Sequence, residues 1–190
     1  MRRIVGVVLA SVVLVGCAGA TEGRGGGPSP TPAGTDGPAV LDGASCEDVQ
    51  AGNPANFPDF VDVELESEGG VDRITFVFEP DADAPARPPL HFVYFTEQLV
   101  TDGEGKPVEV EGEAFLVVAF QAIGVDLSSE QPVEVYTGPE EFTPGFGTIR
   151  EAVMLGDFEG QVSWGLGLSR RECFVVEAEP DRLTLELASA

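Results

Sequence analysis

The sequence predicts an all-β fold: a β-sandwich of about eight or nine short, mainly antiparallel strands. Three observations carry that prediction. Apolar residues recur with period two in segment after segment, turn signals rich in Gly, Pro and Asp separate those segments, and no stretch of the folded region sustains a helical period. Such a pattern argues for a sandwich or a barrel.

The elements can be taken in order. Ser45-Cys46-Glu47-Asp48 has capping-box chemistry, a Ser followed three residues later by an acid, and predicts a short helical turn. Val61, Val63 and Leu65 then alternate with Asp62, Glu64 and Glu66, and Gly69-Gly70 turns the chain into Val71 to Phe78, where Ile74, Phe76 and Phe78 share a face. This is a predicted hairpin. Pro80 to Pro89 is too rich in proline to join a central strand, and Leu90 to Thr96 resumes as one. Asp102-Gly103-Glu104-Gly105 predicts a turn before a strand from Val108 to Gly112, and the unbroken apolar run Ala114 to Phe120 suits a strand buried on both faces. Beyond Val125 the alternation lapses among Pro132, Gly138, Pro139, Pro144, Gly145 and Gly147. It returns at Ile149 to Leu155 and in Val162, Trp164, Leu166 and Leu168, whose partners Ser163, Gly165, Gly167 and Ser169 face the other way. Phe174 to Ala178 and Leu183 to Leu187, joined at Pro180-Asp181, close the chain.

The region before the sandwich has a different composition. Arg2 and Arg3 precede an apolar run from Ile4 to Val15, the length of a signal-peptide core and too short to span a bilayer. Leu14-Val15-Gly16-Cys17 follows, a small residue and a thiol at the cleavage point, and it resembles the lipobox of bacterial lipoproteins. The resemblance implies that residues 1–16 are removed and that Cys17 takes a diacylglycerol as a thioether. Residues 17–44, rich in Gly, Pro, Ser, Thr and Ala, are predicted to form a flexible tether spanning about 25 to 30 Å. The folded domain is then 45–190, and its expected address is the extracytoplasmic face of the cell membrane.

Charge excludes whole classes of partner. The chain has 33 acidic against 10 basic residues. Only Glu22, Asp36 and Asp42, and Arg2, Arg3 and Arg24, precede Ser45, so the domain itself holds 30 acids and 7 bases. That field repels nucleic acid and anionic lipid head groups, and membrane attachment is expected through the N-terminal lipid alone. With Cys17 assigned to lipid, Cys46 and Cys173 remain near opposite ends of the domain. In an exported protein such a pair is expected to form a disulfide, worth about 4 to 5 kcal/mol in the entropic view; two separate buried thiols are the alternative.

Catalytic chemistry has few residues to use. His91 is the only His, so zinc sites built from two or three imidazoles are excluded. Ser163 lacks the Gly two residues earlier that a nucleophile elbow needs, and Lys106, the only Lys, has no Ser three positions before it. His91 is expected to be an ordinary strand residue. Paired carboxylates could serve a glycosidase, but thirty acids make such pairs inevitable. Asp81 with Asp83, and Asp102 with Glu104, fall short of a calcium loop and are expected to be solvated turns. No cofactor and no metal are expected.

Several motifs in order resemble the AMIN-like domain of lipoproteins from high-GC bacteria: Val71 to Phe78 with Asp72-Arg73, the aromatic strand His91 to Phe95, Gly112 before Ala114-Phe115-Leu116-Val117-Val118, Gly156-Asp157-Phe158-Glu159-Gly160 before Trp164 to Leu168, and Pro180 to Leu187 with Asp181-Arg182. The resemblance covers roughly residues 60 to 188. It implies a sandwich and a module associated with binding peptidoglycan or localising a partner. Asp72-Arg73 and Asp181-Arg182 are expected to cap turns and pair ions locally, with ligand contact as the alternative, and Trp164 is expected in the core. Tyr136, Phe142 and Phe146, scattered through an irregular loop, form the candidate binding loop; the competing role for these rings is to plug an open end of the sandwich. The function expected is that of a non-catalytic, membrane-anchored envelope lipoprotein that binds cell-wall polymer. An accessory subunit of an envelope enzyme or transporter, and less favourably a carboxylate hydrolase, are the alternatives.

Intact-mass measurement of the mature protein should show diacylation at Cys17, and Cys17→Ala should release the protein from membranes or leave the precursor uncut. An unmodified Cys17 would refute the lipobox assignment.

Overall fold

A computed structural model describes residues 40–80, 87–128 and 131–190. Cys17, the signal segment, most of the tether, and Asp81 and Asp83 lie outside them. Fourteen strands run through the described residues: β1 (Val49–Ala51), β2 (Asp59–Glu68), β3 (Val71–Glu79), β4 (His91–Thr96), β5 (Leu99–Val100), β6 (Pro107–Val108), β7 (Ala114–Gln121), β8 (Val125–Asp126), β9 (Val133–Glu134), β10 (Glu141–Phe142), β11 (Ile149–Phe158), β12 (Gln161–Leu168), β13 (Phe174–Glu179) and β14 (Arg182–Ala188). They form a six-stranded sheet, in the order β1-β4-β7-β12-β11-β10, and a four-stranded sheet, in the order β13-β14-β3-β2, with β5-β6 and β8-β9 as small separate hairpins. Every strand pairing is antiparallel. The all-β sandwich expected from the period-two pattern is the fold observed.

The core lies between the sheets because alternate residues of both point inward. Ile74, Phe76 and Phe78 of β3 and Leu183, Leu185 and Leu187 of β14 meet Leu116, Val118 and Phe120 of β7 and Val162, Trp164, Leu166 and Leu168 of β12. The alternation fails in one place, where the reason is visible. β2 slips register between Phe60 and Asp62, so the bulge turns Phe60 fully inward and leaves Val61 only half-buried, contrary to its expected place beside Val63 and Leu65. Phe60 becomes a hub, with ring centroids 5.3 Å from Phe120, 4.4 Å from Tyr136 and 6.4 Å from Trp164.

The six-stranded sheet is buried on its outer face too. Val117 and Ala119 of β7 pack with Leu155 and with Leu99 of the β5-β6 hairpin, forming a second, smaller core. Gly165 and Gly167 make room for this cover: a Cβ at Gly165 would lie 2.7 Å from the Leu99 side chain, and one at Gly167 would collide with the Glu111 carbonyl. The strand expected over Val108 to Gly112 is correspondingly short. Its latter part lies across the end of β12, where Glu113 N–H donates to the Leu168 carbonyl at 2.7 Å.

The two sides of the sandwich are closed differently. On one side Ser45 exchanges two backbone hydrogen bonds with Phe174, at 2.9 and 3.0 Å, and β1 then pairs with β4, so residues 45–51 pass from the edge of one sheet to the edge of the other. The helical turn expected at Ser45 is therefore absent: its hydroxyl does accept from Glu47 N–H at 3.1 Å, but its backbone is committed to the sheet. The Cys46–Cys173 disulfide fastens this crossing. On the other side the segment after β7 folds over the gap.

Between the sheets sits one fully buried carboxylate, Asp72. Its Oδ2 accepts from Thr148 N–H at 2.6 Å and Ile149 N–H at 3.1 Å, its Oδ1 from the Ser67 hydroxyl at 2.7 Å, and the Thr148 hydroxyl donates to the Ala188 carbonyl at 2.6 Å. The acid thereby joins the start of β3 to the start of β11. Asp72→Ala should lower the unfolding free energy measured in denaturant by about 3 kcal/mol, because two buried N–H groups lose their acceptor.

Candidate functional site

The segment 122–148 carries the candidate binding loop, and its root is set by backbone bonds. Phe60 N–H donates to the Ile123 carbonyl and Ile123 N–H to that of Pro58, both at 2.9 Å, while Val135 and Tyr136 N–H both donate to the Gly124 carbonyl. Val125–Asp126 and Val133–Glu134 then pair as the β8-β9 hairpin. Tyr136 turns inward, stacked on Phe60 and edge-on to Trp164 at 6.1 Å, with its hydroxyl donating to the Pro139 carbonyl at 2.5 Å. Burial first, and then the charges of Asp62 and Glu140, push its phenol up to about 12. Gly138 is obligatory here, since a Cβ would press to 2.7 Å of the Tyr136 hydroxyl. Phe142 packs on Trp164 with centroids 5.9 Å apart, and Phe146 leans on the same core. The three aromatics of the candidate binding loop are plugs. Tyr136 is buried and Phe142 and Phe146 are half-buried against the same core, the arrangement of the plugging role weighed against recognition.

Their folding inward leaves a cavity of about 400 Å³ beside the loop. Met154, Leu155, Gly156 and Asp157 of β11 line it on one side, and Gly124, Glu134, Thr137 and Glu140 on the other. Asp157 is the distinctive group. The Gly124 and Val125 N–H groups donate to its carboxylate and hold its pKa down, but burial outweighs them and raises it above the usual carboxylate value. Its Oδ2 is buried with no hydrogen-bond partner, pressed against Gly124, where a Cβ would clash with it. Carboxylates of Glu134, Glu140 and Asp157 give the cavity the chemistry of a hydrogen-bond acceptor: it suits hydroxyl, amide or ammonium groups and opposes phosphate. The sequence motif Gly156-Asp157 marks the position, but the partner Gly124 lies 33 residues away and has no signal of its own.

The other residues singled out by sequence take structural places. His91 is buried, its Nδ1 2.9 Å from the Pro89 carbonyl, and desolvation lowers its pKa. Ser163 is buried on the other face of β12 from Trp164, which is wholly in the core. Arg73 bonds Glu186 at 2.5 Å and reaches Glu66 at 3.9 Å; Arg182 meets Asp181 at 2.9 Å and Glu179 at 3.3 Å. These pairs flank the Thr75–Thr184 hydroxyl contact of 3.0 Å on the outer face of the four-stranded sheet. Local ion pairing is thus the arrangement these arginines adopt. In the turn between β5 and β6, Glu104 pairs with Lys106 at 2.8 Å. Among the described residues no group of three or more His, Cys, Asp or Glu is placed to hold a metal ion.

A sequence model of the AMIN-like domain matches residues 58–189, from the start of β2 to the end of β14. No curated protein and no solved structure matches the chain.

A folded carboxyl with a raised pKa binds protons more readily than the unfolded chain, so its contribution to stability is lost as pH rises through the folded pKa. Asp157→Asn should remove that loss. The variant's unfolding free energy, relative to wild type, should grow as pH is raised above the acid range; a pH-independent difference would show that Asp157 is not desolvated.

Proposed function

The chain belongs to the AMIN-like domain family, and from that membership we propose that it is a non-catalytic cell-wall-binding module, held at the extracytoplasmic face of the membrane by lipid on Cys17. The observation that carries the reading is the family match over the sandwich itself, 58–189, both sheets included. Burial of His91 and Ser163 supports a binding role over a hydrolytic one, since His91 shares the inner face of β4 with Val93 and Ser163 lies on the opposite face of the sheet from Trp164, so the two do not meet as base and nucleophile. The acceptor-lined cavity beside Asp157 answers the difficulty posed by charge. A domain this acidic gains nothing electrostatically from an anionic wall, so its affinity must come from hydrogen-bond donors on the ligand: sugar hydroxyls, peptide amides or free amines.

Sedimentation with purified wall tests this directly. The lipid-free chain from Ala18 to Ala190 should co-sediment with isolated wall, should persist there as salt is raised, and should be lost on Glu140→Gln with Asp157→Asn. Recovery only with solubilised membrane proteins, in a parallel pulldown, would overturn wall binding in favour of an accessory role.

A further inference from the structure

The strand register gives the sandwich two distinct ends. At one, the chain enters at Ser45 beside Phe174 and is fastened by Cys46–Cys173. At the other lie the start of β2, the end of β3, the β11-β12 turn and the root of the β8-β9 hairpin. Four of the large apolar side chains that stand exposed among the described residues gather at this far end: Phe57, Leu127, Val133 and Phe158, the last two more than half exposed and Leu127 73% exposed. The Phe57 ring lies against Gly160, in the turn that follows Phe158, and the hairpin bearing Leu127 and Val133 springs from Gly124, which abuts Asp157.

The turn under Phe158 is strained. Phe158 pairs with Gln161 across a two-residue loop in which Glu159 adopts φ 54° and Gly160 φ 76°. The left-handed region is unfavourable for a non-glycine residue, and Asn or Gly at the first position would relieve it. Acids ring the patch: Asp59 and Glu79 stand directly opposite each other in the β2-β3 ladder, with Asp126, Glu134 and Glu159 nearby. Against them stand Arg182, already engaged by Asp181 and Glu179, and Arg87. A hollow of about 290 Å³ with Phe57, Pro80 and Ile123 on its apolar walls and the Glu79 carboxylate at its rim has the character of a seat for a long cationic side chain, apolar stem and charged head together.

We propose that this end is a docking surface for a protein partner presenting apolar side chains within a basic rim. Charge decides among the occupants. A second copy of the chain brings the same acids, and anionic bilayers or phosphate-bearing polymers are repelled as strongly. The surface adjoins the cavity beside Asp157 at Gly124 and Glu134 but differs from it in taking apolar side chains, and it faces away from the chain's point of entry.

The probe is an acetylated twelve-residue peptide of alternating Leu and Arg, titrated into the isotope-labelled full chain while backbone amide signals are followed. Shifts should concentrate at residues 57, 127, 133 and 158–160, weaken as salt is raised, and fail to appear with the Leu–Glu counterpart. Phe158→Ser with Leu127→Ser should raise Kd about tenfold. Tyr94→Ser with Val100→Ser, an exposed apolar pair elsewhere, should leave it unchanged, and both pairs should keep the thermal stability and wall co-sedimentation of the parent. Shifts spread over the acidic surface, equal losses in both pairs, concentration-dependent changes at the same signals without peptide, or a response of those signals to anionic vesicles would each overturn the proposal. Loss of wall sedimentation in the parent chain would bear on the proposed function and leave this surface standing.

Discussion

The buried carboxylate of Asp72 is the constraint on which the sandwich depends. Two sheets that meet only through apolar contact can slide, because hydrophobic attraction has no direction. Asp72 supplies direction: three donors from two elements, Ser67 before it and Thr148 and Ile149 on the opposite sheet, converge on its two oxygens. The register of β3 against β11, and hence which residues of each sheet interdigitate, follows from satisfying that one group. A buried charge without those donors would be far costlier than an apolar residue, so the arrangement discriminates against every alternative packing.

Around this fixed point the fold solves the problem of its margins. The β1 side is sealed by a main-chain crossing with a covalent fastening, and the β10 side by aromatic rings on an irregular segment. The two solutions have different consequences. A crossing that uses backbone bonds leaves little freedom for side chains, whereas a loop that plugs with rings keeps its own backbone polar groups and carboxylates near the surface, which is why the acceptor-lined cavity lies there.

Much of this was legible in the sequence, in physical terms. Val162 to Leu168 read correctly because a strand between two sheets must alternate, and the unbroken Ala114 to Phe120 read correctly as two-sided because the β5-β6 cover demands apolar residues on the second face. Cys46 and Cys173 could be paired because, with Cys17 read as a lipid site and the domain read as exported, only these two thiols remain. What escaped depended on contacts between distant residues. The bulge at Phe60 hides in a perfect-looking alternation, Ser45 satisfies a helix-capping pattern yet finds a strand partner 129 residues away, and Asp157 acquires its character from Gly124. The aromatic loop was ambiguous for a deeper reason: a ring that plugs and a ring that recognises have the same composition, and only the volume of the gap beside Trp164 distinguishes them.

The fastening at the point of entry also determines how the domain bears mechanical load. Tension arriving from the N-terminal side reaches Cys46 before it reaches β1, and there it divides into a covalent bond leading to Cys173 at the start of β13. The short β1-β4 ladder, only three residue pairs long, is therefore shielded from being peeled bond by bond. Pull is delivered to the margin of the four-stranded sheet, whose strands share it through the β13-β14-β3 ladders. A ligand held in the cavity beside Asp157 is the second point of load, so force entering at Cys46 crosses the sandwich from the four-stranded sheet to β11 and bypasses β1.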